Sequence, residues 1–146
     1  MNEVRIHIGD MVHKIQEDVK RLVKGFSEGD LAAYAMGQWV PQADILEGRS
    51  DVRILVDLAG VPSGNVEVSL TGDQVKVRGE KPSGGAAEGV TVHLAERRTG
   101  SFSRTFSLPA SADREKLTAV MRDGLLEISC PKKPESMERE VKIQIQ

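Results

Sequence analysis

Few side chains in this chain are suited to acid–base, metal or nucleophilic chemistry, and those few lie far apart in the sequence. The three histidines, His7, His13 and His93, share no spacing typical of metal ligands. No serine, histidine and aspartate form a recognisable catalytic set, and no glycine-rich loop has the strand and helix context of a phosphate site. Cys130 is the only cysteine and alternates with apolar residues, which favours a small core residue over a nucleophile. The sequence therefore predicts no catalytic residue, no metal site and no cofactor.

One charged residue occupies an unusual position, because Arg104 shares a predicted strand face with Phe102 and Phe106. A buried guanidinium needs a carboxylate or carbonyl partner, and breaking such a pair costs roughly 3 to 5 kcal/mol. Alternatively, Arg104 lies at a sheet edge, from which its long side chain reaches water. The alternation alone leaves both possibilities open.

The strand pattern is clearest in a hairpin near the end of the chain. Two short apolar runs flank Arg122-Asp123-Gly124, and an Asp-Gly pair between alternating segments strongly predicts a tight β-hairpin. Pro131 cannot donate to a sheet ladder, so it should end the second strand. The apolar faces are Leu117, Ala119 and Met121 before the turn and Leu126, Ile128 and Cys130 after it.

A series of further short strands precedes the hairpin, each bounded by turn residues. The alternation predicts strands at 43–47, 52–58, 66–70, 74–78, 90–96 and 101–107. Seven or eight short strands with regular turns and no helical period predict an all-β fold, an immunoglobulin-like antiparallel β-sandwich. We place this domain at residues 39–131.

Residues 1–38 form a different region, which we interpret as an N-terminal arm. An amphipathic helix is predicted from Met11 to Lys24, with Gly9-Asp10 at its start, and Ser27–Gly37 is interpreted as a mobile connector. The helix could pack on its own domain, but we favour burial of its stripe against another subunit or a bound partner. Balanced charge makes a membrane surface unlikely. The stripe is Val12, Ile15, Val19, Leu22 and Phe26.

Residues 132–146 are predicted to form an extended C-terminal tail. Its first part is nearly free of apolar residues, whereas Val141, Ile143 and Ile145 share one face of an extended chain at its end. A lone strand has no partner for its backbone groups, so we expect it to add to a sheet edge of another subunit. Ile6-His7-Ile8 has a similar pattern at the other end of the chain. It is either a frayed strand start, which we favour, or a second ligand for the same edge.

The composition excludes several classes of partner. The net charge is -2 and the sequence pI is about 5.9, whereas nucleic-acid binding needs a basic excess, and aromatic residues make up only 3%. No apolar run approaches the roughly 20 residues that span a bilayer, and no signal-peptide core is present. A single cysteine fits a reducing cytoplasm. We therefore expect a cytoplasmic protein without a nucleic-acid partner, for which a membrane partner is unlikely.

These motifs resemble the small heat-shock proteins, whose α-crystallin domain is a β-sandwich. The resemblance covers residues 39–132 and the tail, and the run from Glu96 to Pro109 matches the pattern E-R-x-x-G-x-F-x-R-x-F-x-L-P almost throughout. Ala59 stands where the family has proline, which should loosen one turn without changing the fold. The other matching segments are Trp39-Val40-Pro41 with Asp44-Ile45 and Glu47, Asp57–Val61, Arg78-Gly79-Glu80, Ala119–Leu126, Pro131-Lys132 and Ile143-Gln144-Ile145.

The resemblance implies an ATP-independent chaperone that holds partly unfolded proteins in solution and assembles from dimers into larger homo-oligomers. It implies that Ile143 and Ile145 dock in a groove on a neighbouring subunit, with Val66, Val68, Leu117 and Ala119 as candidate walls. Residues 81–96 resemble the bacterial and plant form, in which a strand is exchanged between subunits. The dimer-interface residues implied are Val92, Leu94, Glu96 and Arg104, the last now favoured as an ion pair with an acidic residue of its own or the partner chain.

The mechanism that we expect is capture of apolar client segments by the stripe of the arm, exposed when heat weakens subunit contacts. Burial of apolar area is non-directional, so many client sequences would be accepted. One alternative is an adaptor of the co-chaperone type, which binds one folded partner. Within the family, the alternative is a purely structural oligomer or a membrane-associated form. The tail argues against an adaptor, because a monomer has no use for Ile143 and Ile145.

Overall fold

The computed structural model describes residues 8–85, 87–137 and 140–146, with the side chains of residues 21–23 left aside. Two helices, α1 and α2, precede seven strands, β1 to β7. The bounds are α1 Ile8–Lys24, α2 Glu28–Ala35, β1 Ala43–Glu47, β2 Asp51–Asp57, β3 Val66–Thr71, β4 Gln74–Lys81, β5 Gly100–Ser107, β6 Thr118–Arg122 and β7 Leu125–Pro131. The antiparallel all-β prediction is confirmed.

The strands form two antiparallel sheets, one of four strands in the order β1-β2-β7-β6 and one of three in the order β3-β4-β5. The edge strands are therefore β1 and β6 in one sheet and β3 and β5 in the other. Arg104 of β5 lines a cavity together with Ala43 and Asp44 of β1, so these two edges lie on the same side of the sandwich. Consequently β3 and β6 lie on the opposite side.

The core lies between the sheets and is built from alternate residues of each strand. In β2, Val52, Ile54 and Val56 are at most 1% exposed, and Ile54 is the register partner of Ile128 in β7. Each such side chain contributes roughly 1.5 to 3 kcal/mol by burial. Cys130 is buried in the same cluster as Leu126 and Ile128, so the alternation in the sequence correctly predicted the inward face of β7.

The closing hairpin forms as the sequence predicted. Arg122 pairs with Leu125, which leaves Asp123 and Gly124 as a two-residue loop. Their φ angles are 53° and 74°, so both adopt the left-handed conformation that this tight turn requires. β7 ends at Pro131, also as predicted.

The arm differs from the prediction at two points. Helix α1 extends to Ile8, so Gly9 and Asp10 lie inside it rather than before it, and Asp10 interacts favourably with the dipole of the first turn. Ser27–Gly37 is not a connector, because Glu28–Ala35 forms α2. Ser27 caps this helix by accepting a hydrogen bond from the Asp30 N–H at 3.1 Å.

The predicted strand at 90–96 is wrong for the single chain, which has no regular structure there. Val92 and Leu94 are 55% and 75% exposed. A strand exists only with a partner ladder, and none of the strands described pairs with this segment. Alternation in sequence shows that the segment suits a strand but cannot supply the neighbour.

Gly79 of β4 has no room for a side chain. A Cβ there would overlap the backbone oxygen of Asn65 and lie 2.8 Å from Cζ of Phe102. We expect Gly79→Ala to lower the free energy of unfolding by about 3 kcal/mol, because the backbone at Asn65 would have to move to make room for the added methyl group. The measurement is the urea midpoint. Gly64→Ala is the control, since nothing lies within 4 Å of its added carbon, and an equal effect of the two would contradict the prediction.

Candidate interaction surfaces

The predicted groove residues lie at the two sheet edges on the β3–β6 side of the sandwich. Val66 and Val68 of β3 and Leu117, just before β6, are half-buried and pack against the core. Ala119 is exposed, although its register partner Ile128 is buried. Met121 also packs against the core from β6, as its predicted place on the apolar face with Leu117 and Ala119 indicated, although it was not named as a groove wall. No other strand that the structure describes pairs with the outer edge of β3 or of β6.

The tail carries the apolar residues that fit such an edge. Residues 140–146 have no regular structure, and Ile143 and Ile145 are 87% and 98% exposed. The tail is therefore undocked in the single chain. At its base, Lys132 Nζ lies 2.9 Å from Glu47 Oε1, and Ser111 donates to the same oxygen at 3.2 Å. The Lys132 hydrogen bond and charge lower the pKa of Glu47.

Helix α1 exposes most of its predicted stripe. Val12, Ile15 and Val19 are 46%, 55% and 55% exposed, while the side chain of Leu22 lies outside the described residues. Phe26 is different, because it is half-buried and stacks on Tyr34 at 5.8 Å between ring centres. The stripe therefore divides into an open part and a residue packed against α2 and Arg104 of β5.

The second tail-like pattern is only partly described. Ile8 begins α1 and is 74% exposed, whereas the predicted docking needs an extended chain. Ile6 lies outside the described residues. The hypothesis of a second groove ligand therefore finds no support at Ile8.

Arg104 is buried against the arm of its own chain. Its side chain projects inward from β5, is only 3% exposed and does not reach water from the edge. Its Nε donates to Asp30 Oδ2 at 3.1 Å and its Nη1 donates to the Pro41 carbonyl at 2.7 Å. The guanidinium also stacks between the rings of Phe26 and Phe106, at 4.6 and 4.9 Å. Burial lowers the pKa of Arg104, and the Asp30 charge opposes that shift.

Asp30 is the residue that the sequence did not reveal at this site. It is 5% exposed and accepts from two donors of β5, the Arg104 side chain and the Thr105 N–H at 3.2 Å. The sequence feature that could have indicated Asp30 is its position three residues after Ser27, because this spacing is typical of the start of a helix. The other predicted interface residues, Val92, Leu94 and Glu96, are exposed in the single chain.

Cys130 is shielded, and we expect it to resist alkylation. Burial raises the pKa of its thiol, the nearby Asp113 charge adds to that shift, and its Sγ lies 3.0 Å from the Asp113 carbonyl. Because the thiol pKa is raised in the folded chain, its contribution to stability is present at pH values below the usual thiol pKa. This contribution is lost as the pH rises through the pKa of the folded state. Mass spectrometry after iodoacetamide at pH 8 should show labelling in urea and almost none in buffer. Equal labelling would contradict the burial.

Two further classes of site are tested by the geometry. Within residues 8–85, 87–137 and 140–146, no group of three or more His, Cys, Asp or Glu side chains is placed to hold a metal ion. In the part of the chain that the structure describes, no helix is both long and apolar enough to cross a membrane.

Comparison with known proteins agrees with the fold and the motifs. Residues 44–146 match the model of the Hsp20/alpha crystallin family. Small heat shock protein C4 of Rickettsia felis is 36% identical over 103 residues, which are 70% of this chain and 63% of that relative, less than two thirds of its length. The structure of heat shock protein 16.0 from Schizosaccharomyces pombe superposes with a TM-score of 0.63 at 32% identity, covering 75% of this chain and all of that one. HspA from Xanthomonas axonopodis gives 0.61 at 41% identity, covering 66% and 97%.

Proposed function

The chain belongs to the Hsp20/alpha crystallin family of small heat shock proteins, and on that premise we propose that it is an ATP-independent chaperone without enzymatic activity. It would bind partly unfolded proteins and prevent their aggregation under heat or other stress. The observation that carries this proposal is the exposed apolar face of α1, whose Val12, Ile15 and Val19 contact no core. A surface of this kind binds apolar segments with little regard to their sequence.

Assembly would use the parts of the chain that have no partner in a single copy. Among the strands that the structure describes, none pairs with residues 90–96 or with the outer edge of β1, which exposes Ile45 and Leu46. We propose that this segment crosses to β1 of a second copy, with Val92, Leu94, Glu96 and Arg104 at or near the dimer interface. Exchange in both directions would satisfy both sets of backbone groups.

Larger oligomers would form through the tail. The exposed Ile143 and Ile145 would dock between the edges of β3 and β6 on a neighbour, against Val66, Val68, Leu117 and Ala119. In this division of the chain, residues 1–38 bind clients, 39–131 form the sandwich and 132–146 link dimers. We also propose a cytoplasmic location, which a free cysteine suits.

The first test is light scattering from heat-labile enzymes warmed with and without this chain, with no nucleotide added. We expect suppressed aggregation at near-stoichiometric amounts. An Ile15→Ser/Val19→Ser variant should lose most of the suppression, whereas a Lys14→Ser/Lys20→Ser variant on the polar face of α1 should retain it. Unchanged scattering across several unrelated clients would overturn the proposal and favour an adaptor for one folded partner.

A further inference from the structure

Arg104 joins β5 to two separate parts of the arm. Besides its ion pair with Asp30 of α2, its Nη2 donates to the carbonyl of Gly25, just after α1, at 3.4 Å. Its guanidinium also stacks on Phe26, between the two helices. One side chain of the sandwich therefore holds the end of α1, the link between the helices and the first turn of α2.

Asp30 in turn covers the outer edge of β5. Its Oδ2 accepts from the Thr105 N–H, which points away from β4. Because backbone groups alternate along a strand, the N–H groups of Ser103 and Ser107 face this same edge. α2 thus lies where an added strand would pair, which is a common way to protect an edge.

Among the arm residues that the structure describes, few other contacts reach the sandwich. Side chains 8–20 of α1 are all exposed, and a further contact is a hydrogen bond of 3.1 Å from Arg98 to the Gly37 carbonyl, beyond α2. If the contacts of Arg104 opened, the point at which the arm is attached to the sandwich would move from Gly25 to Gly37. The tether would then be roughly a dozen residues longer, with a correspondingly greater reach.

These contacts are suited to opening. A helix of 8 residues is too short to be stable in water by itself, so α2 depends on its docking. A buried ion pair adds little net stability, because both charges lose hydration. A cavity of about 420 Å³ also lies between α2 and β5, lined by Asp30 and Ala33 of the helix and by Ser103 of the strand among others.

We propose that Asp30 and Arg104 form a latch that closes the arm onto the β5 edge of its own subunit. When the latch opens, α2 leaves together with Phe26, the arm extends its reach, and the outward N–H groups of β5 are bared. The bared edge then pairs with extended segments of unfolded clients, so opening raises client binding. This inference rests on the proposed chaperone function and adds its control step and a second binding surface.

The first experiment compares Asp30→Ala with Glu28→Ala. Both variants remove one carboxylate from the first turn of α2, but Glu28 is exposed and outside the latch. In Asp30→Ala we expect amide exchange of Thr105 to accelerate at least about tenfold. We also expect suppression of client aggregation at a temperature where the unaltered chain is nearly inactive. Glu28→Ala should change neither quantity.

The second experiment locks the arm with Asp30 and Arg104 unaltered. Ala33 and Ser103 line the same cavity from α2 and β5, so an Ala33→Cys/Ser103→Cys variant can be joined by a cleavable bifunctional maleimide. Cys130 is buried and stays in place. The joined form should lose most of its heat-activated suppression, and cleavage of the linker should restore it.

The outcomes separate the latch from the chaperone function. Equal Thr105 exchange in the two alanine variants would overturn the latch, as would a joined form that remains fully active. Faster exchange without a gain in client binding would also overturn the proposal, because opening would then have no effect on function. If no form suppresses aggregation, the proposed function fails, and the exchange measurement still decides whether the latch exists.

Discussion

A chain with Ile143→Ala and Ile145→Ala is expected to stop at the dimer instead of forming larger oligomers. Both side chains are almost fully exposed, and docking each into a groove would contribute roughly 1.5 to 3 kcal/mol before ordering costs. Repetition around a closed oligomer multiplies a weak contact into a strong assembly. Light scattering after size-exclusion chromatography at fixed concentration measures the mass directly.

The matched control for the tail is Gln144→Ala, between the two isoleucines, which should leave the mass unchanged. A substitution in the proposed docking groove, Val68→Glu, tests the same contact by placing a charge at a half-buried wall residue of β3. Ser69→Glu, on the outward face of the same strand, is its control. A full-size oligomer from the double tail variant would show that the tail does not link dimers.

Much of the sandwich could be predicted from the sequence because its determinants are local. The Asp123-Gly124 turn follows from glycine's tolerance of positive φ, and the inward faces follow from a period of two along the strands. Both features act within a few residues, so neighbouring side chains alone specify them. The same holds for Pro131, which ends β7 by lacking an N–H.

The arm could not be predicted as well because its structure depends on distant contacts. The apolar residues of α2 are mostly alanines and form no clear stripe, and its buried residue is Asp30, so the pattern resembled a loop. Its partner Arg104 lies 74 residues away. The sequence correctly indicated that a buried arginine needs a carboxylate or carbonyl, but nothing local shows which one. The prediction of a strand at residues 90–96 is wrong for a related reason. Their alternation suits a strand, but no strand described in the single chain pairs with them.

The second large effect is expected from Arg104→Ala, which should lower the free energy of unfolding by roughly 3 to 5 kcal/mol. The variant leaves the Asp30 carboxylate buried, and the Thr105 N–H is then its one donor among the described residues. It also frees the Pro41 carbonyl and removes a cation from between two aromatic rings. Urea denaturation measures the loss. The control is Arg78→Ala, because Arg78 pairs with Glu67 at 2.9 Å on the exposed face of β4 and should cost no more than about 1 kcal/mol.

The double variant Arg104→Ala/Asp30→Ala identifies the cause of that loss. Most of the cost of a broken buried pair comes from the charge left behind, so removing Asp30 as well should recover part of the stability. If the two losses simply add, the pair is not coupled and Arg104 acts through packing alone. Sedimentation of the same variants tests the dimer prediction. An unchanged dimer dissociation constant for Arg104→Ala would place this residue at the arm and not at the subunit interface.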